Sequence, residues 1–138
     1  MTLYVDTSAL LRVVLGEPGA LAEIRHADQL VSSELLAVES RRTIDRLHRL
    51  GALSPEVAAE RLEIVGDWLE AIDLVLLRAP ILTRAGEPLP SPLGTLDALH
   101  LATALVWRDR MERPVVLATH DAALGLAARA FGLPVLGL

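Results

Sequence analysis

Along the chain, short apolar runs alternate with longer stretches in which apolar residues recur every three or four positions. Thr2–Val5 reads as a first strand, ending on Asp6-Thr7-Ser8, polar residues able to cap the apolar helical run Ala9–Leu15. Gly16-Glu17-Pro18-Gly19 breaks that helix, and a short helix over about 20–27 leads to Gln29-Leu30-Val31, a second strand. Ser32-Ser33 then reads as the cap of a helix reaching about Leu50, with Gly51 as its stop. Ser54-Pro55-Glu56-Val57 opens another helix, with Pro in its first turn, that runs to about Ala71 and gives way to the β-rich Ile72–Leu76. Arg84 to Gly94 holds three prolines and two glycines and reads as an irregular loop within a domain. Beyond it come a helix from Asp97 to about Met111, a strand at Val115–Ala118, a helix over about 122–131 and a short strand at Val135-Leu136.

Strands alternating with helices predict an α/β fold: three layers, α/β/α, around a parallel sheet of about four to five strands, since each crossover must lie across the sheet. With 138 residues and no internal repeat, the chain reads as a single domain over 1–138. In open sheets of this kind the functional site lies beyond the carboxyl ends of the strands. Asp6 and Asp121 directly follow strands, and Asp97 opens a helix at the same edge. Three carboxylates are therefore expected to converge.

Composition adds constraints. Apolar residues make up 52% of the chain and aromatics only 3%, so the core is built from Leu, Val, Ala and Ile. There is no cysteine, which excludes disulfides and thiolate chemistry and is compatible with a reducing cytoplasm. The N-terminus has no basic leader, and no segment has the length of a membrane span, so a cytoplasmic protein without a membrane partner is expected. The net charge of -5 argues against a broad basic face for nucleic acid. Two features soften that objection: all 13 basic residues are Arg, and several of the 18 acids can share one metal-neutralised site.

Each aspartate has an ordinary alternative as a helix N-cap. Thr7, Ser8, Thr95 and Thr119 can cap in their place, however, so the helices do not require the carboxylates for that purpose. Glu39 is more informative because it lies inside a helix, at the edge of the apolar stripe marked by Leu36, Ile44, Leu47 and Leu50. A half-buried carboxylate is costly unless paired or bound to metal, and Arg42 or Arg46 could pair with it. Glu34, in the first turn of the same helix, reads as structural. His100, one turn after Asp97, reads as a packed or hydrogen-bonded histidine that could touch the rim of the site. His120 lies beside Asp121, but a His-rich transition-metal site or histidine general base is disfavoured; His26 and His48 form no constellation, and Arg41, Arg42, Arg46 and Arg49 read as a solvated helix face.

Crowded carboxylates repel one another, and a hard divalent cation, Mg²⁺ or else Mn²⁺, relieves them. A metal-activated water suits phosphodiester hydrolysis. The absence of Lys excludes a P-loop and disfavours phosphoaspartyl domains of the receiver and haloacid-dehalogenase kinds.

At this point the segments resemble a known family. Tyr4-Val5-Asp6-Thr7-Ser8-Ala9-Leu10-Leu11 looks like the start of a PIN-domain toxin of the VapC group. Ser33-Glu34-Leu35-Leu36-Ala37-Val38-Glu39 is similar to the segment carrying that group's second acid, and Thr95-Leu96-Asp97-Ala98-Leu99-His100-Leu101-Ala102-Thr103-Ala104 to that carrying the third. Thr119-His120-Asp121, with Leu124, Ala127-Ala128 and Gly132-Leu133-Pro134-Val135, resembles the closing segment. The likeness spans essentially the whole chain. It implies a Mg²⁺-dependent endoribonuclease acting on tRNA or ribosomal RNA, usually homodimeric, held inactive by a VapB antitoxin. It also implies that Asp6, Glu39, Asp97 and Asp121 form the metal site, with Ser8 and Thr119 supporting it through hydrogen bonds. The rival expectations are a housekeeping PIN nuclease, a non-catalytic PIN-like module that binds RNA or a partner, and a phosphotransfer domain using Asp6 as nucleophile.

Overall fold

The computed structural model describes residues Met1–Leu138. Five strands, β1 (Thr2–Val5), β2 (Gln29–Ser33), β3 (Asp73–Val75), β4 (Val116–Ala118) and β5 (Val135–Leu136), form one sheet in the order β3-β2-β1-β4-β5. Every pairing is parallel: Tyr4 lies opposite Val31 on one side of β1 and opposite Leu117 on the other. From β1 the chain winds outward through β2 to β3, then returns across the sheet to β4 and β5. The order therefore reverses between β1 and β4, and in open parallel sheets the crevice at such a reversal is where ligands bind.

Successive side chains of a strand point to opposite faces, and the core divides accordingly. Leu3, Val5, Leu30 and Ala118 face helices α1 (Thr7–Val14), α2 (Glu23–His26), α3 (Leu35–Arg49) and α4 (Pro55–Ala71), burying Leu10, Ile24, Leu36, Ile44 and Val65. Tyr4, Val31 and Leu117 face α6 (Thr95–Met111) and α7 (Ala122–Ala130), burying Leu101, Leu105, Trp107, Leu124 and Leu133. The three layers expected from the alternation of elements are present.

The elements differ from expectation in several places. The segment between β3 and the Pro-rich loop, left unassigned on sequence grounds, forms helix α5 (Ala79–Ala85), which packs along α6 and buries Ile81. Its signal is a Pro in the first helical turn, where the missing N–H costs nothing. Strand β2 continues through both serines instead of ending before them: Ser32 donates its hydroxyl to Val5 O at 2.6 Å, Ser33 accepts from Leu35 N at 3.1 Å, and the N-cap of α3 is Glu34, without a side-chain capping bond. Leu50 lies beyond the last turn of α3 and is exposed, so it does not belong to the buried stripe.

Candidate metal centre

Asp6 stands at the end of β1, where its backbone N–H still bonds Ala118 O of β4 at 3.0 Å. It occupies the N-cap position of α1 without capping it. Its carboxylate is instead engaged across the β1–β4 crevice: Oδ2 accepts from Ser8 Oγ at 2.6 Å and from Thr119 Oγ1 at 2.8 Å. The residue is only 4% exposed, so these charge-assisted bonds offset much of the cost of burying it. Ser8 and Thr119 thus both donate to the Asp6 carboxylate. They do not serve as substitute caps, and Thr7 and Thr95 make no capping bonds, so the expectation of redundant caps does not hold.

Thr119 Oγ1 also accepts from Asp121 N at 3.0 Å, and Ser8 Oγ from His120 N at 3.0 Å, so two hydroxyls set the loop after β4. The loop is pinned from the other side by Gly137, whose carbonyl accepts from His120 Nδ1 at 2.8 Å. Asp121 itself caps α7, its Oδ1 accepting from Leu124 N at 2.9 Å. The ordinary capping explanation therefore applies to one of its oxygens. Asp97 sits in the first turn of α6, half-buried, where Gly94 is the N-cap and no side chain caps.

Glu39 reaches the same edge from the middle of α3. Its side chain is 21% exposed, and it does not pair with Arg42 or Arg46: Arg42 bonds Asp45 at 3.1 Å. Its Oε1 instead accepts from Thr7 Oγ1 at 2.9 Å and from His100 Nε2 at 2.6 Å. His100 is fully buried, its Nδ1 lies 2.8 Å from Tyr4 Oη, and its Nε2 is 3.8 Å from Asp6 Oδ1. It is both the hydrogen-bonded core residue the sequence suggested and a direct neighbour of two of the acids. Tyr4 and Thr7 are residues of the site that the sequence patterns do not mark as such, while His100, expected at most at its rim, bonds one of its acids directly. Two of them carry a positional signal: Tyr4 precedes Asp6 by two, on the same sheet face, and His100 follows Asp97 by one helical turn.

Charge ties the group together. Burial pushes the Asp97 carboxyl above its ordinary value, and the negative charges of Asp121 and Asp6, with a smaller contribution from Glu39, push it further, against the opposing pull of His100. Burial also opposes the ionisation of Glu39, but its bond to His100, the charge of that ring and the Thr7 hydroxyl outweigh it and hold the carboxyl below its usual range. His100 shows the converse: burial disfavours its cation, yet Glu39, Asp6 and Asp97 together raise its pKa. Burial likewise pushes the Tyr4 phenol far up, so it stays a neutral partner for His100.

The four acids share one edge of the sheet and one electrostatic field. They do not close on one point: no three His, Asp or Glu side chains converge at metal-ligand distance. A small hard cation that keeps several waters and takes one or two carboxylates directly does not require them to. The all-oxygen donor set, and the mutual repulsion registered at Asp97, fit such an ion.

The family model for the PIN domain matches residues 3–129. Over 138 aligned residues the chain is 32% identical to Ribonuclease VapC46 of Mycobacterium tuberculosis strain H37Rv, covering 97% of this chain and 95% of that protein. It is 29% identical over 109 residues to Ribonuclease VapC47 of Mycobacterium tuberculosis strain CDC 1551, covering 74% of each. With the three-layer parallel fold and the acidic edge at its strand reversal, these matches establish that the chain belongs to the PIN-domain family, among the VapC ribonucleases.

Proposed function

We propose that this chain is a metal-dependent endoribonuclease that hydrolyses phosphodiester bonds of tRNA or ribosomal RNA, with Asp6, Asp97, Glu39 and Asp121 holding Mg²⁺, or Mn²⁺ in its place. The observation that carries this reading is the negative charge that Asp121, Asp6 and Glu39 together impose at Asp97, only partly offset by His100, at the crevice where the strand order reverses. When bound, a divalent cation supplies Lewis-acid activation of water and of the scissile phosphate. The protein's own part is orientation. Ser8 and Thr119 fix Asp6, Leu124 N fixes one oxygen of Asp121, and His100 with Thr7 fixes one oxygen of Glu39. Each of these side chains keeps an oxygen that accepts no bond from a protein side chain or capping amide, and those oxygens are available to the cation and its waters.

Further elements of the reading rest on membership of the VapC group. A VapB-type antitoxin neutralises the enzyme, the working form is a homodimer of single-domain chains, and the site of action is the cytoplasm. No helix is long and apolar enough to cross a membrane. The test is Asp6→Asn, which keeps the hydrogen-bonding shape and removes the charge. RNA cleavage at saturating Mg²⁺ is expected to fall by about 100-fold or more, corresponding to about 3 kcal/mol of transition-state stabilisation. A folded Asp6→Asn protein that cuts RNA at the parental rate would refute the assignment. Mapping of new RNA 5′ ends after induction identifies the target.

A further inference from the structure

His100 makes more hydrogen bonds than core packing asks of it. It is fully buried, and both ring nitrogens are engaged, Nδ1 with Tyr4 Oη at 2.8 Å and Nε2 with Glu39 Oε1 at 2.6 Å. The network sets the proton positions: Nε2 carries hydrogen and donates to the carboxylate, and in the neutral ring Nδ1 accepts from the phenol. With both nitrogens occupied, the imidazole is not itself available as a metal ligand. Its ring stands edge-on to Tyr4, with centroids 5.9 Å apart, so it is held by packing as well as by hydrogen bonds. Four elements are joined here. Tyr4 lies on β1, two residues before Asp6; Thr7 opens α1; and Glu39 reaches across from α3 to meet a residue 61 positions later on α6.

We propose that His100, steadied by Tyr4, is a positioning residue for the metal centre: with Thr7 it clamps Oε1 of Glu39 and leaves Oε2 free for the cation or its waters. This rests on the metal-centre reading above and deepens it. The physical ground is pre-organisation. A glutamate inside a helix has three side-chain torsions to restrict, and here that restriction comes with folding of the core instead of with metal capture. Outer partners that orient first-layer ligands typically change metal affinity by about 10–100-fold when removed.

The experiment is calorimetric titration of Mn²⁺ into the full-length protein and four variants, each first checked for folding by thermal melt. His100→Leu keeps bulk and removes both hydrogen bonds; His100→Gln places an amide donor near the position of Nε2; Tyr4→Phe removes only the phenol; Asp6→Asn reports on the centre itself. His100→Leu is expected to weaken Mn²⁺ binding by about 10–100-fold, with His100→Gln recovering most of that loss and Tyr4→Phe falling between parent and His100→Leu. A folded His100→Leu protein with parental Mn²⁺ affinity overturns the proposal, as does a His100→Gln protein as weak as His100→Leu. If His100→Leu does not fold, Tyr4→Phe decides, and parental affinity there overturns it. Loss of Mn²⁺ binding in Asp6→Asn alone sinks this inference but leaves the metal centre standing. Parental affinity in Asp6→Asn removes both.

Discussion

Replacing Thr119 by Val keeps the outline of a fully buried side chain and removes its hydroxyl. That hydroxyl donates to Asp6 Oδ2 at 2.8 Å and accepts from Asp121 N at 3.0 Å, so one substitution disturbs two of the acids without touching either. A hydrogen bond to a buried carboxylate contributes about 2 kcal/mol, and a part-buried amide left unpaired costs about 1 kcal/mol, for a total near 3 kcal/mol. Thr119→Ser keeps the hydroxyl and gives up a buried methyl, at about 1 kcal/mol. With a urea slope of about 2 kcal/mol/M, Thr119→Val should lower the unfolding midpoint of the metal-free protein by about 1.5 M and Thr119→Ser by about 0.5 M. Equilibrium urea unfolding, followed by far-ultraviolet circular dichroism in the presence of a chelator, measures both. If the valine variant proves as stable as the serine variant, the hydroxyl does not bear the load assigned to it, and the account of how Asp6 is held is wrong.

Three further outcomes are expected. The Glu39–His100 pair stabilises the metal-free fold most fully between 4.5 and 6.5, the ordinary values of the two groups. The depressed Glu39 contributes above its unfolded value and loses that contribution as pH falls through its folded one. The raised His100 contributes below its unfolded value and loses that contribution as pH rises through its folded one. Urea midpoints of parent and His100→Gln measured against pH should differ most inside that window, and a difference independent of pH would contradict the pairing. Asp121→Asn retains an oxygen to cap α7 and should stay within about 0.5 kcal/mol of the parent, whereas Asp121→Ala costs about 1 kcal/mol; both should lower RNA cleavage, separating the cap from the charge. Gly137→Ala would drive a Cβ into Thr119 O at a φ of 102°, so it should destabilise by more than about 1 kcal/mol and reduce cleavage by displacing the loop that carries Asp121, as melts and RNA assays on one preparation would read.

Much of the fold was legible in the sequence because its signals are local. The period of two in Thr2–Val5, the helical recurrence in α3 and the proline opening α4 are each decided by residues a few positions apart. The placement of Asp6 and Asp121 after strands followed from the same patterns, as did their convergence with Asp97 at one sheet edge. What escaped was either short or distant. Helix α5 has only seven residues, too few for a periodic pattern to declare itself, and is held by packing on α6. On sequence alone, Glu39 had only the nearby arginines as partners, because reading along a helix reveals neighbours three or four residues away and nothing else. The fold instead brought it a histidine 61 positions later. Asp121 itself caps α7, while the Thr119 hydroxyl bonds Asp6, 113 positions away. The sequence by itself thus determined the five strands, the helices long enough to show a period, and the placement of Asp6, Asp97 and Asp121 next to strand ends or helix starts. Only the tertiary structure decided what holds each carboxylate there, since a buried polar atom bonds whatever donor the packed layers bring within reach.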